Sequence, residues 1–169
     1  MSGRECGTCT LCCKVMGIYA LEKPRGKWCD HAMPGRGCAI YETRPQECRS
    51  FACTWLRDEN LGPEWKPEKC KMVLVSDEEK KRTMVYVDAS LPDAWKRAPY
   101  LERLQALMRA GLPLGRLVFI DVGGKMSLML PDRMEELGAL GLNDEVALHI
   151  ARYPHTTEYR VTVKRASGS

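Results

Sequence analysis

No stretch of the chain approaches the roughly 20 consecutive apolar residues of a membrane-spanning helix, so no membrane is expected among its partners. The opening residues, Met1-Ser2-Gly3-Arg4-Glu5-Cys6, have neither the apolar core nor the small-residue cleavage site of a secretory signal. The expected address is therefore the cytoplasm. The chain has no internal repeat, no low-complexity tract and no glycine-rich loop of the kind that cradles a cofactor phosphate. Cysteine is missing altogether from Lys71 to Ser169. A hydrophobic content of 44% against 28% charged residues excludes wholesale disorder, and 169 residues suffice for one ordinary domain or a small module on a larger one.

What the C-terminal part lacks, the first third has in excess. Of nine cysteines, eight lie between Cys6 and Cys53, as Cys6-x-x-Cys9-x-x-Cys12-Cys13 followed by Cys29, Cys38, Cys48 and Cys53. The ninth is Cys70. Disulfides, a metal or a reactive thiol would each explain such crowding. Cytosolic thiols are kept reduced, and an odd number leaves one unpaired, so disulfides are the weaker cause. Zinc takes four thiolates in a closed tetrahedral site, and eight cysteines fill two such sites without remainder. Neighbouring Cys12 and Cys13 project in different directions in a helix or a turn, so they are expected to feed two centres, unless one of them bridges. Iron remains open, because thiolates alone do not separate zinc from an iron–sulfur cluster. Cys6-x-x-Cys9-x-x-Cys12 also matches the first three ligands of a ferredoxin-type cluster, although Cys13 follows at once where that pattern has three residues and then Cys-Pro.

The formal net charge of +4 assumes neutral thiols. A metal ligand is a thiolate. Eight thiolates subtract eight charges and two divalent ions return four, which leaves the loaded protein near neutrality. The Lys and Arg around the cysteines (Arg4, Lys14, Arg36, Arg44, Arg49, Arg57) then read as counter-charge to an anionic site, and a nucleic-acid partner is disfavoured.

The fold class expected is α+β: a small irregular cysteine-rich module, residues 1–70, packed on an antiparallel sheet with one main helix, residues 71–169, the two forming one integrated unit. Thr43-x-x-Gln46 with Pro45 between them reads as a capping box opening a short helix that carries Cys48. A polar, proline-bearing stretch from Arg57 to Lys69 reads as the connection. Strands are expected over 71–76 and 83–89, a helix over 92–110 ended by Gly111 and Pro113, and a hairpin of Leu117–Val122 and Lys125–Leu130 around Gly123-Gly124. A short helical piece over 131–138 and strands over 145–152 and 158–164 complete the chain, with a frayed tail at 166–169.

Taken together, Cys6-Gly-Thr-Cys9-Thr-Leu-Cys12-Cys13, Cys29, Gly37-Cys38-Ala-Ile-Tyr41, Arg44-Pro45 and Cys48-Arg49-Ser-Phe51-x-Cys53 resemble the YkgJ family, bacterial proteins with a CxxCxxCC cluster described as zinc- or iron-chelating. The resemblance spans about residues 6–57 and implies metal chelation by the eight matching cysteines. It implies no catalytic activity. A similar cluster occurs in flagellin lysine methylases, but no cofactor loop supports methyl transfer here.

Among single residues, His31 is expected to donate a hydrogen bond to a sulfur or face water, with ligation the rarer outcome, and Cys70 to be a core cysteine. Arg44 and Arg49 compensate thiolate charge, while Trp28 and Trp55 form an apolar lid. His149, His155, Asp121 and Asp132 form no acid–base pattern. The expected function is metal binding, with two or more zinc ions or an iron–sulfur cluster held structurally by Cys6, Cys9, Cys12, Cys13, Cys29, Cys38, Cys48 and Cys53. Two alternatives stand beside it: an iron–sulfur redox or transferase enzyme, and a zinc module binding nucleic acid.

Overall fold

The computed structural model describes residues 3–141 and 143–166, so the end of the expected frayed tail lies outside the described residues. Up to residue 58 the chain forms only short pieces: α1 (Cys12–Val15), a two-stranded ladder of β1 (Ala32–Met33) and β2 (Gly37–Cys38), α2 (Gln46–Ser50) and α3 (Thr54–Arg57), with 3-10 turns at Tyr19–Leu21 and Tyr41–Thr43. Thr43 is spent in the second of these turns, so the capping box does not form. Helix α2 begins at Gln46 behind Pro45, with no side-chain cap. Cys48 nevertheless rides on it as expected.

The stretch read as a connection carries structure of its own. Pro63–Trp65 makes a 3-10 turn, α4 spans Pro67–Cys70, and Trp65 is only 2% exposed. Its ring meets Tyr100 edge-on at 5.0 Å, which fixes this segment to the main core.

From there the period changes to two. Strands β3 (Met72–Asp77) and β4 (Arg82–Val87) pair antiparallel. Helix α5 (Tyr100–Gly111) then crosses over to β5 (Leu117–Val122), which lies parallel to β4. Helix α5 starts later than expected. Pro99 has no N–H to offer a helix and disfavours helical backbone in the residue before it, so Trp95 falls in a separate 3-10 turn, Ala94–Lys96. The expected antiparallel sheet thus contains one parallel pair, β4–β5, where strand, helix and strand form a crossover unit.

Strand β6 (Lys125–Met129) returns beside β5 through Gly123-Gly124, both at positive φ as a tight hairpin requires. Residues 134–138, expected to be helical, form β7 (Met134–Gly138) on the free edge of β6. With so few residues the apolar positions Met134 and Leu137 suit a helix face as well as a strand, and pairing with β6 decides. The sheet order is thus β3-β4-β5-β6-β7, mostly antiparallel, and the class is α+β. Strands β8 (Glu145–Arg152) and β9 (Thr157–Lys164) form a separate hairpin. Among the described residues, no helix is long and apolar enough to cross a membrane.

Alternation along the strands sends side chains to two faces. One face (Met72, Leu74, Val85, Val87, Val118, Ile120) packs against Leu104 and Met108 of α5 and against Trp65, Cys70 and Trp95. The other face is shared. Met84, Phe119, Met126 and Leu128 lie under the β8–β9 hairpin, whereas Val73 packs against Leu11, Val15 and Cys53 of the cysteine-rich segment. That segment therefore sits on the sheet at its β3 edge.

Candidate metal centre

Each cysteine owes its place to a local device. The amide of Cys9 donates to the Cys6 carbonyl at 2.9 Å, closing a knuckle turn in which Gly7 takes φ +54°. One turn later α1 begins, so Cys12 and Cys13 leave the backbone on different sides. Cys12 and Cys9 pack with Cys53 in the Leu11–Val15–Val73 cluster, while Cys13 is outside it. The Cys13 carbonyl instead accepts the amide of Cys29 at 2.9 Å. The β1–β2 ladder pairs Ala32 with Cys38, and the Ala39 amide donates to the His31 carbonyl at 2.9 Å. Gly37, at φ +107°, brings the ladder so close to the knuckle that a Cβ there would stand 3.3 Å from the Gly7 carbonyl. Cys53 holds the N-cap position of α3 and its carbonyl accepts the Leu56 amide at 3.0 Å.

The result is one cavity of about 170 Å³ lined by all eight predicted cysteines, together with His31, Arg44, Phe51 and Trp55. Trp28 and Cys70 are not among its walls. Trp28 is 41% exposed with the Lys14 ammonium 5.6 Å from its ring centroid, so the expected lid consists of Trp55 without Trp28. Cys70 is 2% exposed in the main core, its sulfur 3.1 Å from the Met72 carbonyl and 3.4 Å from that of Trp65. Burial pushes its thiol up to about 12, so it stays protonated.

All nine cysteines are free thiols. As they stand, no three His, Cys, Asp or Glu side chains among the described residues are arranged to hold a metal ion. The sulfurs surround a common space without converging on one point in it. Burial raises the pKa of Cys6, Cys9 and Cys48, and also of Cys53, whose neighbouring amides oppose it. The Cys12 thiol donates a hydrogen bond to the Cys13 sulfur, which drives Cys12 up and Cys13 down. Neutral buried thiols have no charge drawing them to a point, and a cation that displaces their protons supplies one.

The cations around the cavity test whether an anionic centre belongs there. Lys23 is 8% exposed, and among the described residues it meets no carboxylate. Its ammonium donates to the Lys14 carbonyl at 3.0 Å and to that of Met16, and its nearest titratable neighbours are Cys13, Cys29 and Cys12. Burial lowers its pKa, and those sulfurs oppose the shift. Arg44 lies 3.6 Å over the Tyr41 ring with its Nε buried and without a hydrogen-bond partner. A buried ammonium that meets no carboxylate, and a guanidinium whose buried Nε has no partner, fit a thiolate–metal centre beside them, whose negative charge would answer both.

Not every cation named in the sequence serves this end. The Arg4 guanidinium donates to the carbonyls of Trp55, Asp58, Glu59 and Leu61, and Arg49 to those of Glu42 and Arg44, so both brace the backbone. Lys14 is bound to Asp88. Sequence reasoning missed Lys23, because a lysine beside a Pro/Gly turn reads as exposed; only its bridge to Ile18 turns it inward.

Comparison with protein-family models, with curated proteins and with solved structures returned no match.

Proposed function

We propose that the chain is a metal-binding protein that chelates zinc or iron through Cys6, Cys9, Cys12, Cys13, Cys29, Cys38, Cys48 and Cys53, with the metal in a structural role. The observation that carries this reading is the single cavity to which four separate stretches of chain contribute all eight thiols, unbridged. Lys23, buried without a carboxylate, and Arg44, whose Nε has no partner, support it from the charge side. The same residues carry the resemblance to the YkgJ family, which belongs to this proposal and rests on them alone.

Zinc in closed tetrathiolate sites is the first reading, since such sites leave no position for a substrate. An iron–sulfur cluster is the second, favoured by the Cys6-x-x-Cys9-x-x-Cys12 run. When bound, either group supplies cross-linking of chain segments that have few apolar side chains of their own. The chain's part is to hold the sulfurs on short turns, screen them with Phe51 and Trp55, and place cations where negative charge collects.

The test is elemental analysis with an absorption spectrum on protein purified without oxygen. Zinc gives a colourless protein and an iron–sulfur cluster a brown one that absorbs in the near-visible. A metal-free protein that stays compact with its sulfurs bridged to one another refutes the proposal.

A further inference from the structure

We infer that the eight thiols are divided at the Cys12–Cys13 peptide bond into two quartets, each the ligand set of its own metal centre: Cys6, Cys9, Cys12 and Cys53 against the sheet, and Cys13, Cys29, Cys38 and Cys48 around the β1–β2 ladder. This rests on the reading of the cavity as a metal site and deepens it.

Three independent placements draw the line. Cys9, Cys12 and Cys53 pack together with Leu11, Val15 and Val73, and among the described residues none of Cys13, Cys29, Cys38 and Cys48 enters that cluster. Cys6 is tied to Cys9 through the knuckle hydrogen bond of 2.9 Å. On the far side, the Cys29 amide is bonded to the Cys13 carbonyl, and the ladder that begins three residues after Cys29 ends on Cys38. Cys48 rides on α2, which contributes no side chain to the Leu11–Val15–Val73 cluster, and so falls with the second quartet.

Adjacent residues on the first turn of α1 are about 100° apart around the helix axis, which favours one ion for each sulfur over a chelating pair on a single ion. They can each face one of two ions. The quartets meet at this seam, where Cys12 and Cys13 open α1. Cations stand close to the seam: the Lys23 ammonium donates to the carbonyls of Lys14 and Met16, just beyond Cys13, and Arg44 lines the cavity. Each centre of four thiolates and one divalent ion would carry two negative charges, so cations beside the sulfurs are expected companions.

The experiment uses the full wild-type chain, stripped of metal under reducing, oxygen-free conditions and given one equivalent of Zn2+. Alkylation followed by mass spectrometry then reads which cysteines are protected in molecules carrying one ion. The expected result is protection of one complete quartet in any one molecule. Mixed sets, or all-or-none protection of eight, overturn the partition in favour of a single polynuclear centre.

A second arm counts metal per chain in paired variants. The pair Cys9→Ser with Cys53→Ser should lose one of two centres, whereas Cys53→Ser with Cys29→Ser, which crosses the seam, should lose both. Equal losses in the two pairs overturn the partition. Should either variant fail to fold, as read by circular dichroism, the wild-type arm decides alone. Wild-type protein that takes up no ion sinks the metal reading itself; protein that takes up ions in mixed protection sinks the partition only.

Discussion

Lys14 sits next to Cys13, yet its ammonium reaches across to the sheet, where it stands 2.7 and 2.9 Å from the two carboxylate oxygens of Asp88 and 3.3 Å from the Ser90 hydroxyl. Asp88 is 6% exposed and also accepts the Ser90 amide at 2.9 Å. With Arg25–Asp121 it is one of two ion pairs that, among the described residues, tie the cysteine-rich segment to the sheet, so replacing Lys14 by Met tests how firmly the segment is held. A hydrogen bond to a charged group is worth about 1.5–3 kcal/mol. The Lys14 side chain keeps a fifth of its surface in water, and Ser90 still serves the carboxylate, so the lower half of that range applies, about 2 kcal/mol. For a chain of this size that lowers Tm by about 4–8 °C. Urea unfolding of wild type, Lys14→Met, Asp88→Asn and the double variant isolates the pair, with a coupling of about 1–2 kcal/mol expected. Burial pushes the Asp88 carboxyl up, but the hydrogen bonds from Lys14 and Ser90 outweigh it and hold the carboxyl below the ordinary range. The coupling is therefore fully present above about pH 4, the ordinary carboxyl value, and fades as pH falls through the lower folded value. Metal loss in acid acts on all four proteins and largely cancels in the cycle. A coupling under about 0.5 kcal/mol at pH 7 refutes the reasoning, because distant, independent sites scatter by that much.

Serine at Cys9 or at Cys48 should lower metal content and melt the N-terminal segment, whereas Cys70→Ala should keep full metal and lose only about 1 kcal/mol of stability in urea, the cost of a small core deletion. Because the Cys70 thiol is pushed up to about 12, its alkylation in the folded protein should stay slow from pH 7 to 10; rapid labelling in that range would show that it is not buried as described. Gly37→Ala combines a positive φ with a tight approach to the Gly7 carbonyl and should cost about 1–3 kcal/mol, with weaker metal retention against a chelator as the second readout. Asp121→Ala removes a 3% exposed carboxylate that accepts the Gly124 amide at 2.7 Å and pairs with Arg25, so about 1–3 kcal/mol should be lost in thermal or urea unfolding, and an unchanged midpoint would contradict it.

The C-terminal platform was legible because its signals are local. Short apolar, β-branched runs over 71–76 and 83–89 around a charged turn mark strands, Gly123-Gly124 marks a hairpin, and Leu101, Leu104 and Met108 mark a helix face. The misreadings fall where a local signal yields to a partner elsewhere in the chain. Residues 134–138 become a strand because β6 has a free edge to offer, and β5 runs parallel to β4 because α5 carries the chain back across the sheet. The identity of the cysteines lining the cavity was readable from their spacing alone. Their environment was not: Lys23 is buried by one backbone bridge to Ile18, and Lys14 is drawn off to Asp88, and neither partner is marked in the sequence.

The contrast between the two parts of the chain bears on why metal and fold should be coupled. From residue 60 onward, strands of five to eight residues and a helix of 12 satisfy their own backbone groups and bury a continuous core. Before it, the longest regular element has five residues, too short for a helix to stand alone in water, and the apolar side chains it buries are chiefly Leu11, Val15 and Ile18. Leu11 and Val15 reach Val73, which secures the half that holds Cys9, Cys12 and Cys53. The ladder carrying Cys38 and the helix carrying Cys48 contribute no side chain to that cluster, so apolar packing does least where the second thiol quartet lies. If a metal holds the segment together, its removal should therefore loosen β1, β2 and α2 before α1 and α3. Amide hydrogen exchange on metal-free protein reads that order directly, and uniform protection across the segment would mean that the platform orders it without help from the thiols.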